Sequence, residues 1–359
     1  MKKSDHLLSL AIFLLISFGL LILGSLSKND VSPFFALKKQ LIFIAIGVIL
    51  FLAMSTFDWR ILHNSSALLL TLYGLSLISL FLVLFFGKTS RGATGWFNFG
   101  FFSLQPVEFT KIILILVLAK YLSSRHLEIW QFKYLFISGI YALLPIGLVL
   151  LQPDLGGAVI LGLIWFCLVL VSGIRWGQIF GLLIVFILTI ALAWGFLLKP
   201  YQQARILNFL NPQQDLEGIG YNRNQALISI GSGRIFGKGL GWGTQTQLNF
   251  LPLAKTDFIF AALAEELGLI GVIILLSLYL LLFYRLSYWA NVFDTNFCKL
   301  FTFGFTTKLL IEVFINLGMN TGILPIIGIA LPFLSYGGSH LLVDFIGLGI
   351  VNSMIRHRT

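Results

Sequence analysis

Charge is scarce in this chain: Asp, Glu, Lys and Arg make up 11% of its 359 residues, where soluble domains carry about 25%. With 58% of its residues hydrophobic, a soluble fold could not cover its own core, so the soluble classes are excluded. Cysteine is scarcer still. Cys167 lies inside an apolar run and Cys298 at the edge of another, and nothing in their placement suggests a disulfide or a metal site. Repeats, low-complexity tracts and any break in composition are also lacking, so residues 1–359 read as one membrane domain. Lys2 and Lys3 precede the apolar stretch Leu7 to Leu26. That stretch is too long for a signal-peptide core and no small-residue cleavage site follows, so it reads as a first span.

What is present is a series of apolar runs of about 20 residues, the length that crosses a hydrocarbon core of roughly 30 Å. Thirty-five Phe and eight Trp suit lipid-facing and interfacial positions. Ten segments are predicted to span: 7–26, 40–57, 65–86, 106–122, 134–151, 156–172, 178–198, 258–284, 298–318 and 338–355. The expected fold is all-α and polytopic, with both termini on one side. Eleven Lys and Arg, from Lys2 to Arg358, fall in short connections and tails on the side of the termini, against five (Lys28, Lys38, Lys39, Lys88 and Arg91) opposite. The excess of basic residues predicts cytoplasmic termini. The formal charge of +10 sits in connections between spans, which favours anionic lipid over nucleic acid as its partner. Residues 199–257 form one long extracytoplasmic loop of 59 residues between spans seven and eight. It is too apolar for a disordered linker and is expected to be ordered.

Ionisable groups inside spans are functional hypotheses by default. Glu108 and Lys111, three apart behind Gln105-Pro106, can be a structural ion pair or the polar wall of a cavity. Asp257 follows Thr256 where the long loop turns into the eighth span; both residue types favour the N-cap, and Thr256 can cap the helix while Asp257 does chemistry. Glu265 and Glu266 lie deeper in that span, and structural hydrogen bonding is their simpler role. Lys308 and Glu312 are spaced i, i+4 and can neutralise each other, while Asp344 is a second partner for Lys308. Asp154, in Gln152-Pro153-Asp154-Leu155-Gly156-Gly157, has ordinary turn reasons to be there. The run from Ile230 to Gln245 holds six glycines with Arg234 and Lys238. It can cradle an anion or simply turn between helical pieces; its spacing excludes a Walker A loop. Pro325, Gly328, Pro332 and Ser335-Tyr336-Gly337-Gly338 predict a broken segment, tolerated in a membrane only against protein or a water-filled cavity.

Taken in order, these motifs resemble the SEDS family (shape, elongation, division and sporulation) along nearly the whole chain. The resemblance rests on Gln105-Pro106-Val107-Glu108, Gln152-Pro153-Asp154-Leu155-Gly156 and Gly220-Tyr221-Asn222 with Gln225, then Ile230-Gly231-Ser232-Gly233, Gly237-Lys238-Gly239 and Gly243-Thr244-Gln245. It continues through Phe250-Leu251-Pro252, Thr256-Asp257-Phe258-Ile259-Phe260, Glu265-Glu266, Asn316, Gly318-Met319, Leu331-Pro332-Phe333 and Ser335-Tyr336-Gly337-Gly338. Gly243-Thr244-Gln245 and Asn211-Pro212 lean towards the elongation type over the division type. Departures are Leu253 and Lys255 where the family usually has Glu and His, Val107 where Ser is usual, and Gly95 where Arg commonly precedes Trp96.

The resemblance implies a multi-pass enzyme of the bacterial cytoplasmic membrane that polymerises lipid II into glycan strands, inverting at the anomeric carbon. Asp257 matches the general base. Glu108, Lys111, Arg205, Arg223, Arg234, Lys238, Lys255 and Thr256 are the expected substrate-binding set, supported by Gln105, Asp154, Glu265, Glu266, Lys308, Glu312 and Ser335. A divalent cation, Mg or Mn, is the implied cofactor, with no ligands assigned and no organic cofactor. Lipid II, undecaprenyl-pyrophosphate-linked glycan, a cognate class B penicillin-binding protein and elongation-complex membrane proteins are the implied partners. A lipid II transporter, a scaffold for a partner enzyme, and the division and sporulation types are the alternatives.

Overall fold

The computed structural model describes residues 5–28, 33–90, 93–100, 102–125, 131–192 and 219–357, together with 195, 203, 207 and 209. Helices occupy each of the ten apolar segments, and the chain is an all-α polytopic membrane protein. In order come α1 (His6–Leu26), α2 (Phe35–Thr56), α3 (Arg60–Asn64), α4 (Ser66–Phe86), α5 (Pro106–Ser124), α6 (Phe132–Leu151), α7 (Leu155–Val171) and α8 (Trp176–Leu192). Then follow α9 (Ile219–Gly233), α10 (Thr244–Gln247), α11 (Ile259–Val292), α12 (Asn296–Asn320) and α13 (Gly338–Arg356). Among the described residues seven helices are long and apolar enough to cross a membrane: α1, α2, α4, α6, α11, α12 and α13. Between α4 and α5 lies a small antiparallel sheet, β1 (Lys88–Ser90), β2 (Ala93–Asn98) and β3 (Ser103–Leu104), in that order. The sequence reading had only a connection there, because strands this short carry no readable alternation.

The chain gathers into two compact units. The first holds Met1–Thr56, Arg205–Leu286 and Leu309–Arg356; the second holds Phe57–Ala204, Ser287–Lys308 and His357–Thr359. In the first, α13 packs along α2, and small residues set the approach: a Cβ on Gly47 would collide with the Phe345 ring, and one on Gly349 with Met54. Asp5 caps α1 by accepting the Leu8 N–H at 3.0 Å, and its other oxygen pairs with Arg285 at 2.7 Å. In the second unit α5 is buried along most of its length against α4, α6 and α7. Phe85, Phe86 and Phe132 stand exposed on α4 and α6, as lipid-facing side chains do.

Within the first unit α11 is broken at Gly268, whose φ of 65° and ψ of −161° are not helical. The break leaves carbonyls and N–H groups without helical partners, and the glycine-rich turn takes them up. Lys238 and Gly239 donate to the carbonyls of Glu265 and Glu266 at 3.0 and 2.9 Å; Leu269 and Ile270 donate to those of Arg234 and Ile235 at 2.9 and 3.2 Å. Backbone meets backbone at this clasp, so a Cβ on Gly237 would strike the Glu266 carbonyl, and one on Gly268 the Gly237 nitrogen. Both positions also have positive φ, which glycine adopts without strain.

Candidate functional site

In the second unit, Gln105 precedes α5 and Pro106 opens it, which suits a residue whose N–H has no helical acceptor. Glu108 then stands in the first turn, where the helix dipole favours a negative charge. Its Oε1 accepts from Lys111 Nζ at 2.8 Å, with both side chains at least nine-tenths buried. The expected pair is therefore formed and shielded from water. Asp154 caps α7 by accepting the Gly157 N–H at 2.9 Å. Burial pushes the Asp154 carboxyl up, opposed by that N–H and by the charge of Lys111. Val107, in place of the usual Ser, lies close to Gly157, whose Cβ would come within 3.0 Å of its methyl. Gln152 ties α4 and β2 to this corner: its Nε2 donates to the Leu80 carbonyl at 2.9 Å, and its own carbonyl accepts from Thr94 N at 3.1 Å. Lys308 is fully buried in this unit's part of α12.

In the first unit the stretch Lys255-Thr256-Asp257 is held by its backbone. The Asp257 carbonyl accepts from Asn316 Nδ2 and Asn320 Nδ2, both at 3.0 Å, and Asn320 Oδ1 accepts the Ala261 N–H at 3.2 Å. The Thr256 carbonyl accepts from Ser335 Oγ at 2.7 Å, and the Lys255 carbonyl from Tyr336 N at 2.9 Å. The irregular backbone after α12 is satisfied in the same way: Asn316 Nδ2 reaches the Ile329 carbonyl at 2.7 Å and Tyr279 Oη the Pro332 carbonyl at 2.6 Å. Non-helical backbone in an apolar setting needs such partners. The Asp257 side chain is buried, and Gly328 borders it, a Cβ there lying 3.5 Å from Oδ2. Burial pushes the Tyr336 phenol up.

Glu265 and Glu266 are fully buried. Glu265 Oε1 accepts from Lys238 Nζ at 2.8 Å and Gln245 N at 2.9 Å, and its Oε2 from Thr246 N at 3.1 Å. Glu266 Oε1 accepts from Ser25 Oγ at 2.7 Å and Gln247 Nε2 at 3.1 Å. Lys238 also donates to Thr244 Oγ1 at 2.7 Å. Of the remaining basic residues, Arg234 is exposed, Lys255 is half-buried, and Arg223 donates through Nη2 to the Gly322 carbonyl at 2.9 Å. Arg205 lies outside the described residues, as do Asn211 and Pro212.

The sequence reading missed His340. Its Nε2 is 3.1 Å from Glu312 Oε2, and its Nδ1 is 3.3 Å from Asp344 Oδ2, so one imidazole stands between two buried carboxylates of α12 and α13. The i, i+4 spacing of His340 and Asp344 was the available signal. Asn320, which holds both Asp257 and Ala261, was also missed; asparagine four residues after Asn316 on an apolar helix would have pointed to it.

Comparisons with known proteins agree with this architecture. The model of the FtsW/RodA/SpoVE family, described as "Cell cycle protein", matches residues 5–359. The peptidoglycan glycosyltransferase MrdB of Escherichia coli (strain K12) is 37% identical over 355 residues, covering 99% of this chain and 94% of that protein. Stage V sporulation protein E of Bacillus subtilis (strain 168) is 36% identical over 367 residues, covering 98% and 97%. Among solved structures, a chain from a peptidoglycan synthase complex that coordinates polymerization and crosslinking matches with a TM-score of 0.85 at 33% identity, over the whole of both chains. The rod shape determining protein RodA of Thermus thermophilus matches with a TM-score of 0.74 at 31% identity, covering 99% and 97%.

Proposed function

The chain belongs to the FtsW/RodA/SpoVE family and is a peptidoglycan glycosyltransferase of the elongation type, and we propose that it polymerises lipid II with Asp257 as the general base. Inversion at a diphosphate-linked sugar needs one displacement. The acceptor 4-hydroxyl oxygen forms a bond to the anomeric carbon, the bond from that carbon to the diphosphate oxygen breaks, and the hydroxyl proton passes to a carboxylate. The polyprenyl diphosphate leaves with the bonding pair.

The observation that carries the assignment is the holding of Asp257 by its main chain, through Asn316 and Asn320, with Ser335 and Tyr336 holding the two residues before it. A base acts from a fixed place, and this scaffold fixes the backbone of Asp257 without depending on the carboxylate. Glu265 and Glu266 fasten the glycine-rich turn and its neighbours. The buried Glu108–Lys111 pair supports a polar wall for the substrate. For the implied divalent cation, Glu312 and His340 of the first unit offer a carboxylate oxygen and an imidazole nitrogen 3.1 Å apart, and no step is routed through it.

We propose further that the enzyme sits in the cytoplasmic membrane with Asp257 at the outer face, and that a class B penicillin-binding protein docks there. A partner that binds the competent form of residues 199–257 more tightly shifts the population towards it. Purified protein with labelled lipid II, its glycan product resolved by gel, tests the core assignment. Wild-type enzyme makes product, more of it with the partner and with hydrogen-exchange protection gained in 199–257. Near wild-type product from Asp257→Asn would sink the base assignment; complex formation without change in rate or protection would sink the partner's role.

A further inference from the structure

Arg223 of α9 is held at one corner only. Its Nη2 donates to the Gly322 carbonyl at 2.9 Å, and the Phe209 ring lies over the guanidinium, 5.6 Å from centroid to Cζ. Its Nε and Nη1 are buried and have no hydrogen-bond partner, and among the described residues no carboxylate pairs with it. The residue is half-buried as a whole, but buried guanidinium nitrogens that lack acceptors are costly, so the fold favours an arrangement that brings an anion to them. The approach is tight as well: a Cβ on Gly322 would come within 2.7 Å of Nε.

The place of this arginine matters as much as its unmet donors. The end of α12 and the turn after it anchor two things in succession: Asn320 holds the Asp257 carbonyl, and two residues later Gly322 holds Arg223. The other basic residues of 219–257 do not share this position. Lys238 is committed to Glu265 at 2.8 Å, Arg234 is exposed with its carbonyl tied to Leu269, and Lys255 is anchored to Tyr336 by its main chain.

We propose that Arg223 is the docking point for the phosphate-type anion of a polyprenyl-linked substrate, taking the diphosphate as it becomes the leaving group while Asp257 takes the acceptor's proton. This rests on the polymerase reading above. A planar guanidinium with two nitrogens open, Nε and Nη1, matches phosphate oxygens in direction as well as charge. A phospholipid headgroup carries the same chemistry, and the test separates the two.

The full chain in phosphatidylcholine nanodiscs is titrated with undecaprenyl diphosphate while its melting midpoint is followed, for wild type, R223Q, R223K and D257N. Loss of charge-assisted hydrogen bonds should raise the half-maximal concentration for R223Q about tenfold, and KM for lipid II by about as much. Turnover at saturation should fall as well, since the same nitrogens meet the charge that grows on the departing diphosphate. R223K should fall between, and it serves alone if R223Q does not fold. D257N should titrate like wild type while its glycan synthesis falls by about 10²–10⁴-fold. An R223Q or R223K titration indistinguishable from wild type overturns the proposal. So does a defect seen only when phosphatidylglycerol replaces undecaprenyl diphosphate as the probe, which would make the anion a bilayer headgroup. A wild-type protein that binds undecaprenyl diphosphate through Arg223 yet never polymerises lipid II would instead leave the anion site standing and remove the polymerase reading.

Discussion

Asp257 and Glu265 lie eight residues apart where the chain enters α11, and both are buried acids; the fold is seen to anchor the main chain of one and the carboxylate of the other. Glu265 is gripped by its carboxylate, which accepts from Lys238 Nζ, Gln245 N and Thr246 N. Asp257 is gripped by its carbonyl, through the amides of Asn316 and Asn320. Changing the side chain of Glu265 therefore dismantles a structure, whereas changing that of Asp257 leaves its backbone anchors in place. Glu265 thus fastens the glycine-rich turn through its side chain, while the main chain of Asp257 is fastened by two asparagines of α12.

The largest effect expected from this contrast is on rate. Asp257→Asn should lower glycan synthesis by about 10²–10⁴-fold, the usual worth of a positioned base, with a melting temperature close to wild type. A variant that melts early would show that the carboxylate too is a fastening. Next comes stability. Glu265→Ala takes one acceptor from the partly exposed Lys238 and leaves the N–H groups of Gln245 and Thr246 without theirs, and an unmet buried donor costs about 1–3 kcal/mol. The protein should lose yield or melt well below wild type; unchanged melting would erase the distinction between the two acids.

A third test moves to the other unit. Glu108→Ala and Lys111→Ala should each be damaging, and the double variant less so than their sum, with a coupling of about 0.5–3 kcal/mol. Strict additivity in melting and in activity would mean that the 2.8 Å contact carries no energy. The smallest effect concerns Asp154, an acid held by its carboxylate at a helix end. Asp154→Ala should cost about 0.5–2 kcal/mol, as lost caps do, while Asp154→Asn keeps an acceptor for Gly157. Because burial raises this carboxyl, the folded form binds its proton more tightly than the unfolded one. Its favourable contribution is full below the unfolded pKa and is lost as pH rises through the folded pKa. Asp154→Asn should gain on wild type towards neutral pH and lose that advantage on acidification; melting curves across pH would expose the reverse trend.

Much of this was legible beforehand because it depends on neighbours along the chain. The apolar runs gave the helices at all ten segments, since spanning a bilayer demands continuous apolar length. The i, i+3 spacing of Glu108 and Lys111 put both on one helical face. The Pro and Gly of 325–338 announced a stretch without regular hydrogen bonds. The glycines of 231–243 announced close approach, but not what would approach; their partner, the break at Gly268, is separated from them by α10 and the turn before α11.

The amino-acid sequence by itself determined the membrane class, the helices, the local ion pair and the family, because each is written in composition, periodicity or ordered motifs. Only the tertiary structure decided the fates of the polar residues. It assigned Lys238 to Glu265, put His340 between Glu312 and Asp344, and left two guanidinium nitrogens of Arg223 without acceptors. Those outcomes turn on directions and distances of a few ångström between segments remote in sequence. A buried charge is settled by the atoms that reach it, and no local pattern specifies which atoms those are.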